Sequence, residues 1–181
     1  LLGIAFLGMF LAMTENYMIA IVRAFGGNSS HVGTALFLSS LVTAPVIFCF
    51  DRIHARLSDA ALLRISAVTF LIRAVCFLFV AKSISAIYLL QLLHMTSYGF
   101  LHPTQVSYAG AMVRPADTVK GQAFSTAAYA LGCSAGNLAG GIALGFGVRA
   151  MLSAGVVMAG IGTGILFFTT AKSSPKGEIS K

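Results

Sequence analysis

AALLRISAVTFLIRAVCFLFV, residues Ala60 to Val80, decides the fold. A helix rises 1.5 Å per residue, so a run of this length covers the roughly 30 Å of bilayer hydrocarbon. The apolar residues occupy every side of the helix instead of one stripe, so no side is written for water. Of its two charges, Arg64 lies near one end and Arg73 near the middle, too deep to reach the interface easily. Five more apolar runs accompany this one: Leu1–Val22, His31–Phe50, Ser83–Val113, Thr118–Gly145 and Val148–Ala171. None alternates apolar and polar residues as lipid-facing barrel strands do, so all six read as transmembrane helices. The fourth and fifth runs exceed the length needed and are expected to tilt, bend or project. Pro45 and Pro103 are the candidate kinks.

Composition agrees with this reading. Of 181 residues, 57% are hydrophobic and 9% are charged, against about 25% charged in ordinary soluble domains. Seventeen charged side chains cannot cover a soluble domain of this size. Composition therefore excludes a soluble enzyme, a disordered chain and a secreted disulfide scaffold. Cys49, Cys76 and Cys133 sit in apolar runs without a CxxC and read as small buried side chains. The chain begins without Met, is apolar from Leu1, and has no signal-peptide pattern, so it reads as a fragment of a longer protein.

The connections carry local stop and start signals. Gly26-Gly27-Asn28-Ser29-Ser30 is a turn, Ser58 or Asp59 can cap the third helix, and Ser83 or Ser85 the fourth. Pro115-Ala116-Asp117 precedes the fifth helix, Gly145-Phe146-Gly147 the sixth, and 172–181 form a polar tail expected to be disordered. The net charge of +7 is unevenly spread. Arg23, Lys82 and Arg149 follow the odd-numbered helices. Arg52, Arg56, Arg64, Arg114, Lys120, Lys172, Lys176 and Lys181 follow the even-numbered ones. The positive-inside rule places the even connections, the tail and the first residues in the cytoplasm, most simply at the plasma membrane. The charge is thus topological, and no nucleic-acid footprint is evident.

Gly132, Gly136 and Gly140 recur every fourth residue on the fifth helix, and Gly155, Ala159 and Thr163 repeat the spacing on the sixth. Small residues at this spacing let two helices approach closely, either as static packing or as a gliding contact. Gly132-Cys133-Ser134-Ala135-Gly136 matches the G-x-S-x-G nucleophile elbow. That motif needs a strand–turn–helix, and here it lies within an apolar helix. An intramembrane serine protease would need a histidine base on a later helix, and none follows His102. No HExxH, phosphate loop or metal-ligand cluster occurs, so the chain is read as a non-enzyme with no cofactor or metal.

Ionisable groups at membrane depth are costly, and each is a candidate site. Glu15 is the one acidic residue well inside an apolar run and is the natural partner for Arg73. Gln91, His94 and Tyr98 fall at i, i+3 and i+7 and share one face of the fourth helix, with Gln105 and Tyr108 roughly continuing the stripe. Such a stripe belongs in a bundle interior or a water-filled cavity, as an interhelical contact or as a solute or proton pathway. His102, beside Pro103, reads as an interhelical contact.

Several short segments, in order along the chain, carry a resemblance. They are Thr43-Ala44-Pro45, Asp51-Arg52-Ile53-His54-Ala55-Arg56, Ile72-Arg73, Leu93-His94-Met95 and Ala135-Gly136-Asn137. Together they resemble the C-terminal six-helix half of a major facilitator superfamily transporter, closest to the lactose-permease-like proton symporters. The resemblance implies an all-α fold in which six helices form one half of a twelve-helix transporter, with a missing N-terminal six-helix half. It also implies alternating access about a midplane site. It makes Arg73 and His94 coupling or binding residues, places Asn137 on the pathway, and makes Asp51, Arg52 and Arg56 a degenerate cytoplasmic loop motif. It departs from the group at Ser97, where the sugar symporters carry the glutamate that takes up the proton. A hydroxyl cannot titrate in that role, so Glu15 or His94 would have to.

The function expected is secondary active transport of a small polar or organic solute of sugar, nucleoside or organic-acid type, with H+ as the candidate coupling ion. The alternatives from other classes are a non-transporting six-helix packing or signalling module and the intramembrane protease.

Overall fold

The structure, a computed structural model, describes residues 1–172. Among the described residues there are nine α-helices, one short 3-10 turn and no strand. The polar tail expected to be disordered lies, from residue 173, outside the described residues.

Helices α3 (Ser29–Phe48), α5 (Asp59–Phe79), the α6–α7 composite (Ile84–Gln91 and His94–Ala111), α8 (Thr118–Leu144) and α9 (Val148–Lys172) are long and apolar enough to cross a membrane. The pair α1 (Leu2–Glu15) and α2 (Met18–Ala24), bent by 49° at its break, is together apolar and long enough to count as a sixth candidate span. The short α4 (Phe50–His54) joins α3 to α5. This is an all-α membrane fold of the kind that makes one half of a major facilitator transporter.

The caps follow from local chemistry. The Asn28 side chain accepts from the backbone N–H groups of Ser30 and His31 and starts α3. Gly26, at φ 77°, supplies the left-handed turn before it. Ser58, not Asp59, caps α5 by accepting from Ala61 N–H, and Ser83 caps α6 by accepting from Ala86 N–H.

Two expectations about helix continuity are corrected. The first run is not one helix, because it is interrupted at Asn16–Tyr17. The fourth run breaks at Leu92–Leu93 and not at Pro103, which stays inside α7. The physical reason is a switch to tighter i→i−3 bonding: Leu92 N–H to Leu89 C=O, Leu93 N–H to Leu90 C=O, and Met95 N–H to Leu92 C=O. The cysteine expectation also changes. Cys49 is exposed at the end of α3, and Cys76 and Cys133 are half-buried.

α1 lies against α8 and α9, α5 against α7 and α9, and α3 against α7. The close approach of α1 to α8 is made by glycine. A Cβ at Gly132 would overlap the Ala5 backbone, and one at Gly136 the Met9 backbone. Gly140 faces the Met13 and Tyr17 side chains. On α9, Ala159 is buried and the Thr163 hydroxyl donates to the Ala67 carbonyl of α5 at 2.9 Å.

The interior divides into two apolar cores. One holds Leu7, Phe10, Phe70, Ala74 and Leu101, with Phe10 edge-on to Phe70 at 6.1 Å. The other holds Met18, Ile21, Phe77, Ile87 and Met151. Along three spans the chain passes from one core to the other through polar residues: Glu15 to Tyr17, Arg73, and Gln91 to His94.

Candidate polar site at the helix breaks

Arg73 is completely buried on α5, one turn from Phe70 on one side and from Phe77 on the other. A guanidinium there must be paired, since an isolated charge in an apolar interior is prohibitive. Its Nη2 donates to the Glu15 carboxylate and, at 2.6 Å, to Gln91 Oε1. The guanidinium also lies over the Phe77 ring, 5.4 Å from its centre. Glu15 ends α1 and Gln91 ends α6, so a single nitrogen of Arg73 holds the last residues of two broken helices. Nε and Nη1 of Arg73, Nε2 of Gln91 and Nδ1 of His94 are buried without a hydrogen-bond partner. The cluster therefore holds spare hydrogen-bonding capacity and can be paired in more than one way.

His94 begins α7. Its Nδ1 lies 3.8 Å from Glu15 Oε1, near the carboxylate but beyond hydrogen-bond distance. Its ring stacks on Tyr98 at 5.1 Å, and Tyr98 meets His102 edge-on at 5.2 Å. Spacing of four on one helix produces this column. Across from it, Tyr129 of α8 approaches Tyr98 at 6.4 Å.

Asn137 does not touch Arg73 directly. Its Oδ1 accepts from Asn16 Nδ2 at 2.7 Å, and its backbone carbonyl accepts from the Tyr17 hydroxyl at 2.6 Å. These two bonds fasten the α1–α2 break to α8. Ser97 is buried, its hydroxyl turned back to the Leu93 carbonyl at 2.8 Å. Its own carbonyl accepts from Ser66, tying α7 to α5. Gln105 is buried with Oε1 unpartnered, away from the Arg73 cluster along α7.

The structure thus brings Glu15, Arg73, Gln91, His94 and Tyr98 into one cluster, with Asn137 joined to it through the break. Asn16, Tyr17 and Tyr129 belong to the same face and were not singled out from the sequence. The signal for Tyr129 was available, since Tyr129, Cys133 and Asn137 recur every fourth residue beside the glycine stripe. Asp51, Arg52 and Arg56 are all exposed. The ordered contacts at that end are made instead by Asp59, whose Oδ2 accepts from Ser107 at 3.0 Å and whose Oδ1 lies 2.7 Å from His54 Nε2.

Ser134 lies on continuous helix α8, exposed, with its hydroxyl bonded to the Ala130 carbonyl at 3.0 Å. That is a helix back-bond with no strand–turn–helix around it. Among the described residues no group of histidine, cysteine and acidic side chains is placed to hold a metal ion.

A family model described as the MFS_1 like family matches residues 1–153. No curated protein and no solved structure matches the chain.

Proposed function

Because the chain belongs to the MFS_1 like family, a family of membrane transporters, we propose that it forms one six-helix half of a secondary active transporter. The solute is a small polar or organic molecule moved by alternating access, with H+ as the coupling ion. The pathway is built around Glu15, Arg73, Gln91, His94, Tyr98 and Asn137, and Gly132, Gly136 and Gly140 form the contact along which α1 and α8 meet. The remaining six helices come from a segment outside this sequence. Asp51, Arg52 and Arg56 lie on the cytoplasmic side, and the membrane is the plasma membrane.

The observation that carries this reading is the Arg73 cluster. Glu15 and Gln91 accept from one nitrogen at two separate helix breaks, and His94 lies beside the carboxylate. Static packing needs neither an ion pair nor broken spans at membrane depth, whereas transporter sites are built from discontinuous helices near the midplane. Desolvation and a nearby guanidinium act in opposite senses on a carboxylate's hold on a proton. If rocking changes the Arg73–Glu15 distance, proton affinity becomes a function of conformation, which is the requirement for coupling.

The test uses full-length protein in proteoliposomes, with counterflow as the readout. Saturable counterflow that is abolished by the charge-neutral pair Glu15→Gln with Arg73→Gln, in protein still monodisperse on gel filtration, is the expected result. Full counterflow in that double variant would remove the cluster from the pathway.

A further inference from the structure

We infer that this half presents an aromatic-walled surface without an unpaired charge to the solute, and that the solute is a neutral polar molecule with a flat ring face. The inference rests on the transport reading above and specifies its substrate class.

The direction of the surface comes first. Asn16 and His102 are exposed and Tyr98 and Tyr129 half-buried, all within candidate membrane spans. Polar side chains cannot face hydrocarbon cheaply, so this face looks onto water or onto the rest of the transporter, and it includes the candidate pathway.

The charge on that surface comes second. Arg73 is wholly covered and already engaged by Glu15, so this ion pair deep in the spans is compensated internally. The exposed or half-exposed side chains beside it are Asn16, Tyr98, His102, Tyr129 and Asn137, together with the edge of the Glu15 carboxylate, whose charge Arg73 already compensates. They offer amide, hydroxyl and imidazole hydrogen bonds and no fixed cation such as a carboxylate or phosphate would require. Among the solute types considered, an organic acid therefore fits this surface less well than a sugar-like or nucleoside-like solute.

The aromatic geometry comes third. The His94 ring backs Tyr98 at 5.1 Å with the planes 22° apart, which fixes the orientation of Tyr98. His102 and Tyr129 extend the surface to either side, at 5.2 and 6.4 Å. Three rings from two helices form a rigid apolar wall, and rigid aromatic surfaces bind ring faces at low entropic cost. The Asn16–Asn137 amide pair and the Tyr17 hydroxyl lie at the same helix break and supply partners for solute hydroxyls.

Counterflow by the full-length protein tests this with five labelled probes: uridine and methyl glucoside as neutral rings, uridine monophosphate and glucuronate as their charged counterparts, and erythritol as a neutral acyclic polyol. The expected result is counterflow of a neutral ring solute, with its charged counterpart and erythritol at least about tenfold weaker. Tyr98→Leu and Tyr129→Leu should each raise KM about tenfold, while Tyr98→Phe keeps it. Thermal unfolding of each variant separates a lost wall from a lost fold. Preference for glucuronate, uridine monophosphate or erythritol, or an unchanged KM in both leucine variants, overturns this inference and leaves transport standing. No counterflow with any of the five overturns both.

Discussion

The Arg73 guanidinium is held by the Glu15 carboxylate, 58 residues earlier in the chain, at the place where the first span breaks. The same nitrogen also holds Gln91, at the place where the fourth run breaks. One buried cation therefore ties together the two interruptions and sits between the two apolar cores. Neither break needs a proline. Pro45 and Pro103 both lie inside continuous helices.

Glu15→Gln separates coupling from scaffolding. Under the proposed role it abolishes pH-driven accumulation by the full-length transporter and leaves downhill exchange. If Glu15 is only a brace, the variant loses folded protein and all transport together, because a buried charge without its partner costs about 3–5 kcal/mol. Wild-type accumulation in Glu15→Gln excludes the coupling role, and His94→Asn measured in the same way shows whether it belongs there.

Gly136 tolerates no side chain. Its Cβ would overlap the Met9 backbone, so even Gly136→Ala must push α1 and α8 apart, at a cost of about 1–3 kcal/mol. Gly136→Leu is expected to abolish folded yield. Gly164→Ala is the control, since a Cβ there meets open space. Equal detergent-solubilised yields of all three would contradict the close approach.

Tyr17→Phe removes the hydroxyl that bonds to the Asn137 carbonyl and leaves the ring against Gly140. One hydrogen bond contributes about 0.5–1.5 kcal/mol, so the apparent Tm should fall by a few degrees. An unchanged Tm would show that the break is held by other contacts.

Topology can be read with a membrane-impermeant maleimide in a cysteine-free background. A cysteine at position 29 should react from outside the cell and one at position 56 only after permeabilisation. The motivation is the eight-to-three distribution of Lys and Arg between the two sides. The opposite pattern inverts the model of orientation.

The spans were legible in the sequence because the bilayer imposes a length and forbids charge, and both constraints act on contiguous residues. The caps at Ser58 and Ser83 were legible for the same reason, since a cap bonds to the next turn. The glycine spacing announced a close helix contact but not its partner. Only the packing of α1 on α8 shows that Gly132 and Gly136 meet Ala5 and Met9.

What the tertiary structure alone decided is where the helices break and which polar groups meet there. No local signal in Leu90-Gln91-Leu92-Leu93 marks an interruption, and proline, the residue that usually does, lies elsewhere. Arg73 requires acceptors at its own depth in the bundle, and the chain supplies them from Glu15 and Gln91, each the last residue of a helix that stops beside it. The sequence by itself determined that a buried charge needed a partner, because that cost belongs to the residue. Which partners it found depends on distances between segments far apart in the chain, and those exist only once the helices have packed.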